Sequence, residues 1–293
     1  MATRIWIGTD TGNEGDLGTA ANWSGAALPV NADDVYFENS SQSVTAGFAD
    51  LAAVALSSLN IAQSYTGLIG DSTTYMQIGA STVEIGYHYG PDLPAGSGRL
   101  KIDLGATAAA ITVHNTGTPS DDNLPAVRLK CNNAATTLEI RKGKVGVACE
   151  TSETSTLSKI TTSYVTQKTA DADVYIGIGV TLTTLDVKGG DTILLCAATT
   201  INTYDGTLLT AGSGAITTIN ARGGTITSNS TGTITTLNIN ETATVDFTKS
   251  AAARTVTTLK LNPDGTLKYD PNVVTLTNKV QSDYPVIYRA AAA

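Results

Sequence analysis

Small hydroxyl and aliphatic residues alternate along the second half of the chain with a phase that returns about every 18 residues. The recurring string is two hydroxyl residues, an aliphatic, a variable residue and then usually another aliphatic. It reads Thr183-Thr184-Leu185-Asp186-Val187, Thr199-Thr200-Ile201-Asn202-Thr203, Thr217-Thr218-Ile219-Asn220-Ala221, Thr235-Thr236-Leu237-Asn238-Ile239 and Thr257-Thr258-Leu259-Lys260-Leu261, at spacings of 16, 18, 18 and 22 residues. A second string trails the first by about eight residues: Asp191-Thr192-Ile193, Gly206-Thr207-Leu208, Gly224-Thr225-Ile226, Ala243-Thr244-Val245 and Gly265-Thr266-Leu267. Upstream, Ser57-Ser58-Leu59-Asn60-Ile61 and Thr136-Thr137-Leu138-Glu139-Ile140 match the first string.

A period of this length marks a repeat architecture, and strand-forming residues bounded by glycine turns make each repeat a coil of short strands. The fold expected is therefore all-β, a parallel β-solenoid (β-helix) with coils of about 18 residues, an N-terminal cap and inserted loops. Equivalent strands stack at about 4.8 Å. Leu185, Ile201, Ile219, Leu237 and Leu259 then form one inward ladder, and Asn202, Asn220 and Asn238 an outward one whose amides bond from coil to coil. Such a coil cannot bury its apolar face alone, so stability comes from stacking. The calcium-binding glycine nonapeptide and a regular hexapeptide repeat are absent from the sequence, and handedness stays open.

The pattern divides the chain into residues 1–45, a cap or docking segment; 46–130, irregular coils with two inserted loops; 131–280, the regular solenoid; and 281–293, a C-terminal tail. The loops resemble each other. One runs through Asp92-Leu93-Pro94-Ala95 to Arg99-Leu100-Lys101, the other through Asp122-Asn123-Leu124-Pro125-Ala126 to Arg128-Leu129-Lys130. They read as equivalent excursions from neighbouring coils, and loops on a rigid scaffold are where partner contacts concentrate.

Composition sharpens this picture. Gly is abundant (28 residues), charged residues make up 15% of the chain, and 16 aromatics in 293 residues leave the interior to aliphatic side chains. The net charge of −8 argues against nucleic acid or an anionic membrane as partner, since both require a basic surface. No 18-residue apolar run spans a membrane, and the Met1–Trp6 start lacks the apolar core of a signal peptide. Cys131, Cys149 and Cys196 fit neither a metal site nor a disulfide framework, and the expectation is reduced thiols. Cys131 and Cys149 are 18 residues apart, which leaves a stacked disulfide or a metal pair as the alternative.

Candidate chemistry is sparse. Asp186, Asp205, Glu241 and Asp246 are scattered, with no register that pairs them. Tyr87-His88-Tyr89 beside Asp92 is the richest cluster and holds one of two histidines, the other being His114. No nucleophile elbow, phosphate loop or zinc motif occurs. The expectation is a protein that is not an enzyme, with no metal and no cofactor, although Asp121-Asp122-Asn123 is a turn that could take calcium.

The opening Trp6-Ile7-Gly8, Asn22-Trp23-Ser24-Gly25, Pro29 and Asp33-Asp34-Val35 resembles that of β-solenoid proteins on bacteriophage particles and bacterial surfaces. The resemblance covers about 35 residues. It implies a virion-surface protein of the head decoration (cement) or short fibre type, made in the host cytoplasm and located in the virion. Its partners would be the major capsid protein or another virion protein, and itself as a homotrimer. Partner contacts are expected at Trp6, Trp23, Tyr87, His88, Tyr89, Leu93, Pro94, Leu124 and Pro125. The competing reading is a carbohydrate-binding or carbohydrate-cleaving β-helix, a tailspike-like module or adhesin, with a groove lined by Tyr65, Tyr75, Tyr87 and Tyr89.

Overall fold

A computed structural model describes residues 2–71, 73–87, 100–116, 126–163, 174–281 and 286–289. The chain is a parallel β-solenoid. It resolves into two compact units, residues 1–148 with 154–157, and residues 149–153 with 158–293.

In the first unit one sheet runs through β1 (Thr3–Ile5), β2 (Asp34–Phe37), β3 (Ala55–Ala62), β5 (Gly79–Tyr87), β7 (Ala110–Val113) and β9 (Thr137–Ile140). The other contains β4 (Met76–Gln77), β6 (Leu100–Asp103), β8 (Val127–Lys130) and β10 (Val145–Val147). Every pairing is parallel. Val35, Leu59, Val83, Ile111 and Leu138 form one inward file, and Phe37, Ile61, Ile85, Val113 and Ile140 the next. All ten side chains are buried. Residues 1–45 join this stack directly, because β1 and β2 are its opening rungs.

The strand β11 (Ser155–Thr162) contributes residues to both units. In the second unit one sheet runs through β13 (Val180–Val187), β15 (Ala198–Thr203), β17 (Ile216–Ala221), β19 (Ile234–Ile239), β21 (Arg254–Leu261) and β23 (Val274–Gln281). Its companion sheet holds β12 (Val174–Ile176), β14 (Asp191–Leu194), β16 (Thr207–Thr210), β18 (Thr225–Ser228), β20 (Thr244–Asp246), β22 (Thr266–Tyr269) and β24 (Val286–Arg289). The strand β24 pairs with β22, so part of the 281–293 segment forms a further rung.

The file Leu185–Ile201–Ile219–Leu237–Leu259 is in continuous register, and each member is fully buried. Parallel files flank it. Leu182, Ala198, Ile216, Ile234 and Val256 lie on one side, and Val187, Thr203, Ala221, Ile239 and Leu261 on the other. Full burial of one such aliphatic side chain contributes about 1.5–3 kcal/mol, so the three files dominate the unit's stability.

The hydroxyl doublet departs from strict alternation. In β15, β17 and β19 both of its residues face outward between two inward ones, giving a repeated pattern of one buried, two outward and one buried. Because the two successive outward positions hold small hydroxyl residues, this break in alternation exposes no large apolar side chain. The glycines of the trailing string have a separate cause. Gly206 and Gly224 adopt φ of 76° and 72°, and a Cβ on either would sit 2.5 Å from the carbonyl oxygen of the rung below. Both the left-handed backbone and the close stacking exclude other residues.

Outside the sheet, the asparagine file is hydrogen-bonded end to end. The Nδ2 of Asn238 donates to Asn220 (2.7 Å), that of Asn220 to Asn202 (2.8 Å), and that of Asn202 to the carboxylate of Asp186 (2.7 Å). Lys159 closes the line with a 2.5 Å ion pair to Asp186. Asp186, scattered in the sequence, is thus the acidic terminus of this file.

A cavity in the central file is the sharpest test of this packing. Ile219→Ala is expected to lower stability by about 2–5 kcal/mol in chemical denaturation. Thr217→Ala, at an exposed position of the same strand, should stay within about 0.5 kcal/mol of the parent.

Candidate functional site

Two regions carry the expected contact residues: the N-terminal tryptophan segment and the roots of the paired loops.

The first is an internal knot. Trp6 and Trp23 meet edge to face with ring centroids 5.2 Å apart, Phe37 packs 5.9 and 5.8 Å from them, and Tyr65 extends the cluster at 5.3 Å from Phe37. Each polar edge is satisfied. The Nε1 of Trp6 donates to the Gln42 carbonyl (3.0 Å), which also accepts from the Tyr65 hydroxyl (2.8 Å), and the Nε1 of Trp23 donates to Leu17 (2.9 Å). Asn22, fully buried, donates to the Asn13 and Asp16 carbonyls at 2.6 and 2.9 Å and accepts from the Asp10 amide at 2.8 Å. Gly8 is required because a Cβ there would lie 2.2 Å from the Gln42 side chain.

Asp33 pins the strand start. Burial opposes its ionisation, but the Ala2 and Val30 amides and the Arg4 guanidinium, 3.5 Å away, outweigh that and hold its carboxyl below the usual range. Trp6 and Trp23 have no exposed surface, which corrects their expected role as partner contacts. Their rings close the aliphatic files at the first rungs, where large aromatic area replaces a missing neighbour.

At the second region, Tyr87 ends β5 half-buried. His88, Tyr89, Leu93, Pro94, Leu124 and Pro125 lie outside the described residues, as does the Asp121-Asp122-Asn123 turn. The strands to which the two loops return, β6 and β8, are neighbouring parallel rungs. Their register differs from the sequence match. Leu100 pairs with Val127 and Lys101 with Arg128, two residues displaced from an Arg-Leu-Lys alignment. A two-residue slip keeps every side chain on its own face, so the resemblance of the strings survives it. Lys101 and Arg128 are buried, and the ammonium groups of Lys101 and Lys130 sit 5.4 and 5.0 Å from the Tyr75 ring. Lys130 also pairs with Asp103 at 3.2 Å. Tyr65 and Tyr75 are core residues and cannot line a glycan groove.

Sequence reasoning missed a charged network on the outer face of the first sheet. His114 Nε2 donates to Glu84, Arg141 Nη1 donates to His114 Nδ1 at 3.3 Å, and Arg141 Nε donates to Glu139 at 3.1 Å. The triplets Val83-Glu84-Ile85 and Leu138-Glu139-Ile140, aliphatic on both sides of an acid, are the signal that places both carboxylates in one outward file. These bonds link outward side chains of neighbouring rungs, as expected of a structural stripe. Among the described residues no group of three or more His, Cys, Asp or Glu side chains could hold a metal ion. No family model, curated protein or solved structure matches the chain.

None of the three cysteines forms a disulfide. Burial pushes the thiols of Cys131 and Cys196 up to about 12, with the Asp103 charge adding to the effect at Cys131. Cys149 is partly exposed. A thiol-reactive chromogenic disulfide at neutral pH should label Cys149 in the native protein and reach the other two only on unfolding, because only thiolate reacts. Prompt labelling of more than one thiol in the native state would contradict this burial. In the knot, Asn22→Leu strands buried backbone groups at a cost of about 1–3 kcal/mol each, which should appear as a large drop in the denaturation midpoint.

Proposed function

We propose that the chain is a structural protein of a virus particle, a phage head decoration (cement) protein that binds the shell as a homotrimer and stabilises it. The observation that carries this reading is the N-terminal opening. The residues that carry its resemblance to phage surface solenoids include the tryptophans, asparagine, glycine and aspartate that build the knot, each with a defined packing or hydrogen-bonding task.

A register-locked stack suits a reinforcing role. It supplies stiffness without a ligand, and its hydrogen-bonded files leave little internal freedom. In this reading the paired loop segments, with their Leu-Pro pairs, meet the major capsid protein or another virion protein. The tryptophan knot supports the start of the stack from inside without touching the partner.

Light scattering of the purified protein should give about 90 kDa, three times the 30.1 kDa chain. Mixing with expanded heads that lack decoration should then move the protein into the sedimenting fraction. A monomer that stays in the supernatant would contradict the proposal, and glycan binding by that monomer would favour the carbohydrate reading instead.

A further inference from the structure

The strand β5 carries a bulge where the two long loops take root. Ile61 pairs with Ile85, but Ala62 pairs with Tyr87, so Gly86 is the extra residue. Gly86 has φ of 67°, and a Cβ there would lie 1.7 Å from the Asn115 carbonyl oxygen. Only glycine meets both conditions, which makes the bulge a fixed feature of the rung.

The extra residue opens a cavity bounded by Gln63, Tyr65, Gly86, Leu100, Asn115 and Thr116. Its interior has room for about one or two water molecules. Gln63 is more than nine-tenths buried and lines this space. Its amide is half engaged: Nε2 donates to the Gly86 carbonyl at 3.0 Å, while Oε1, fully shielded from solvent, accepts no hydrogen bond from the protein. A buried amide oxygen without a donor costs about 1–3 kcal/mol, and native proteins rarely leave one in that state. The opposite wall is polar, formed by Asn115 and by Thr116, whose hydroxyl accepts from the Lys144 amide at 3.0 Å.

We infer that this cavity is a structural water site. The water donates to Gln63 Oε1 and makes its remaining hydrogen bonds to polar groups of the Asn115–Thr116 wall. It thereby ties β3, where Gln63 follows the strand, to the segment that leaves β7. Tyr87 and Thr116 are the last described residues before the two loops, so the water joins the roots of both across the bulge. The water-sized volume and the open Gln63 acceptor suit one small donor. The site rests on the fold and stands whether or not the protein decorates a capsid.

The test is a crystal structure of the full chain at a resolution where ordered waters are placed, with the Gln63→Leu variant beside it. The expected result is a full-occupancy peak within hydrogen-bond distance of Gln63 Oε1 that disappears in the variant. Magnetisation transfer from a long-lived water to the Gln63 side-chain amide should be seen in the parent in solution, which keeps the inference testable should the variant fold poorly. An Oε1 turned onto a protein donor, a site without a peak, or absence of a long-lived water in solution would each overturn it.

Discussion

The structure depends on one constraint: equivalent strands of successive rungs must stack in parallel at a single register. A slip of one residue would turn each inward file to solvent, and the loss would recur on every rung. Because the cost is repeated, register is the most strongly specified property of the chain. The outward hydroxyl doublet, the left-handed glycines and the asparagine file are all devices that keep it.

The ends of the stack face a different problem, since a terminal rung has a neighbour on one side only. At the N-terminus the chain meets it with aromatic area and a hydrogen-bonded loop. Trp6 and Trp23 cover Phe37 and, beyond it, the aliphatic file, while Asn22 gathers the turns around Asp10, Asn13 and Asp16. Residues 1–45, which read in sequence as a cap or docking segment, supply the strands β1 and β2 of this stack. The tryptophans serve the interior, and whatever surface the segment offers is made by other residues.

Fold was legible in the sequence because repetition advertises it. The Thr-Thr-aliphatic strings alone put Leu185, Ile201, Ile219, Leu237 and Leu259 in one file, and the Asn positions follow from alternation. Less was legible where a position is used once. The Gly86 bulge, the Glu84–His114–Arg141–Glu139 network and the two-residue displacement between β6 and β8 each depend on contacts between distant segments, and none leaves a periodic trace. Burial of Trp6, Trp23, Tyr65 and Tyr75 was equally hidden, because an aromatic residue reads alike in sequence whether it faces a partner or the core. The contact residues expected in the loops belong to the same class of single-use positions, so the repeat that fixes the fold is silent about them.

Amide hydrogen exchange along the second unit tests most directly whether stacking is what stabilises the solenoid. The account predicts that β15, β17 and β19, each held between two rungs, exchange only through the highest-energy opening of the unit, while the terminal β23 exchanges faster. Equal protection of every rung including β23, or fast exchange in the interior rungs, would contradict it.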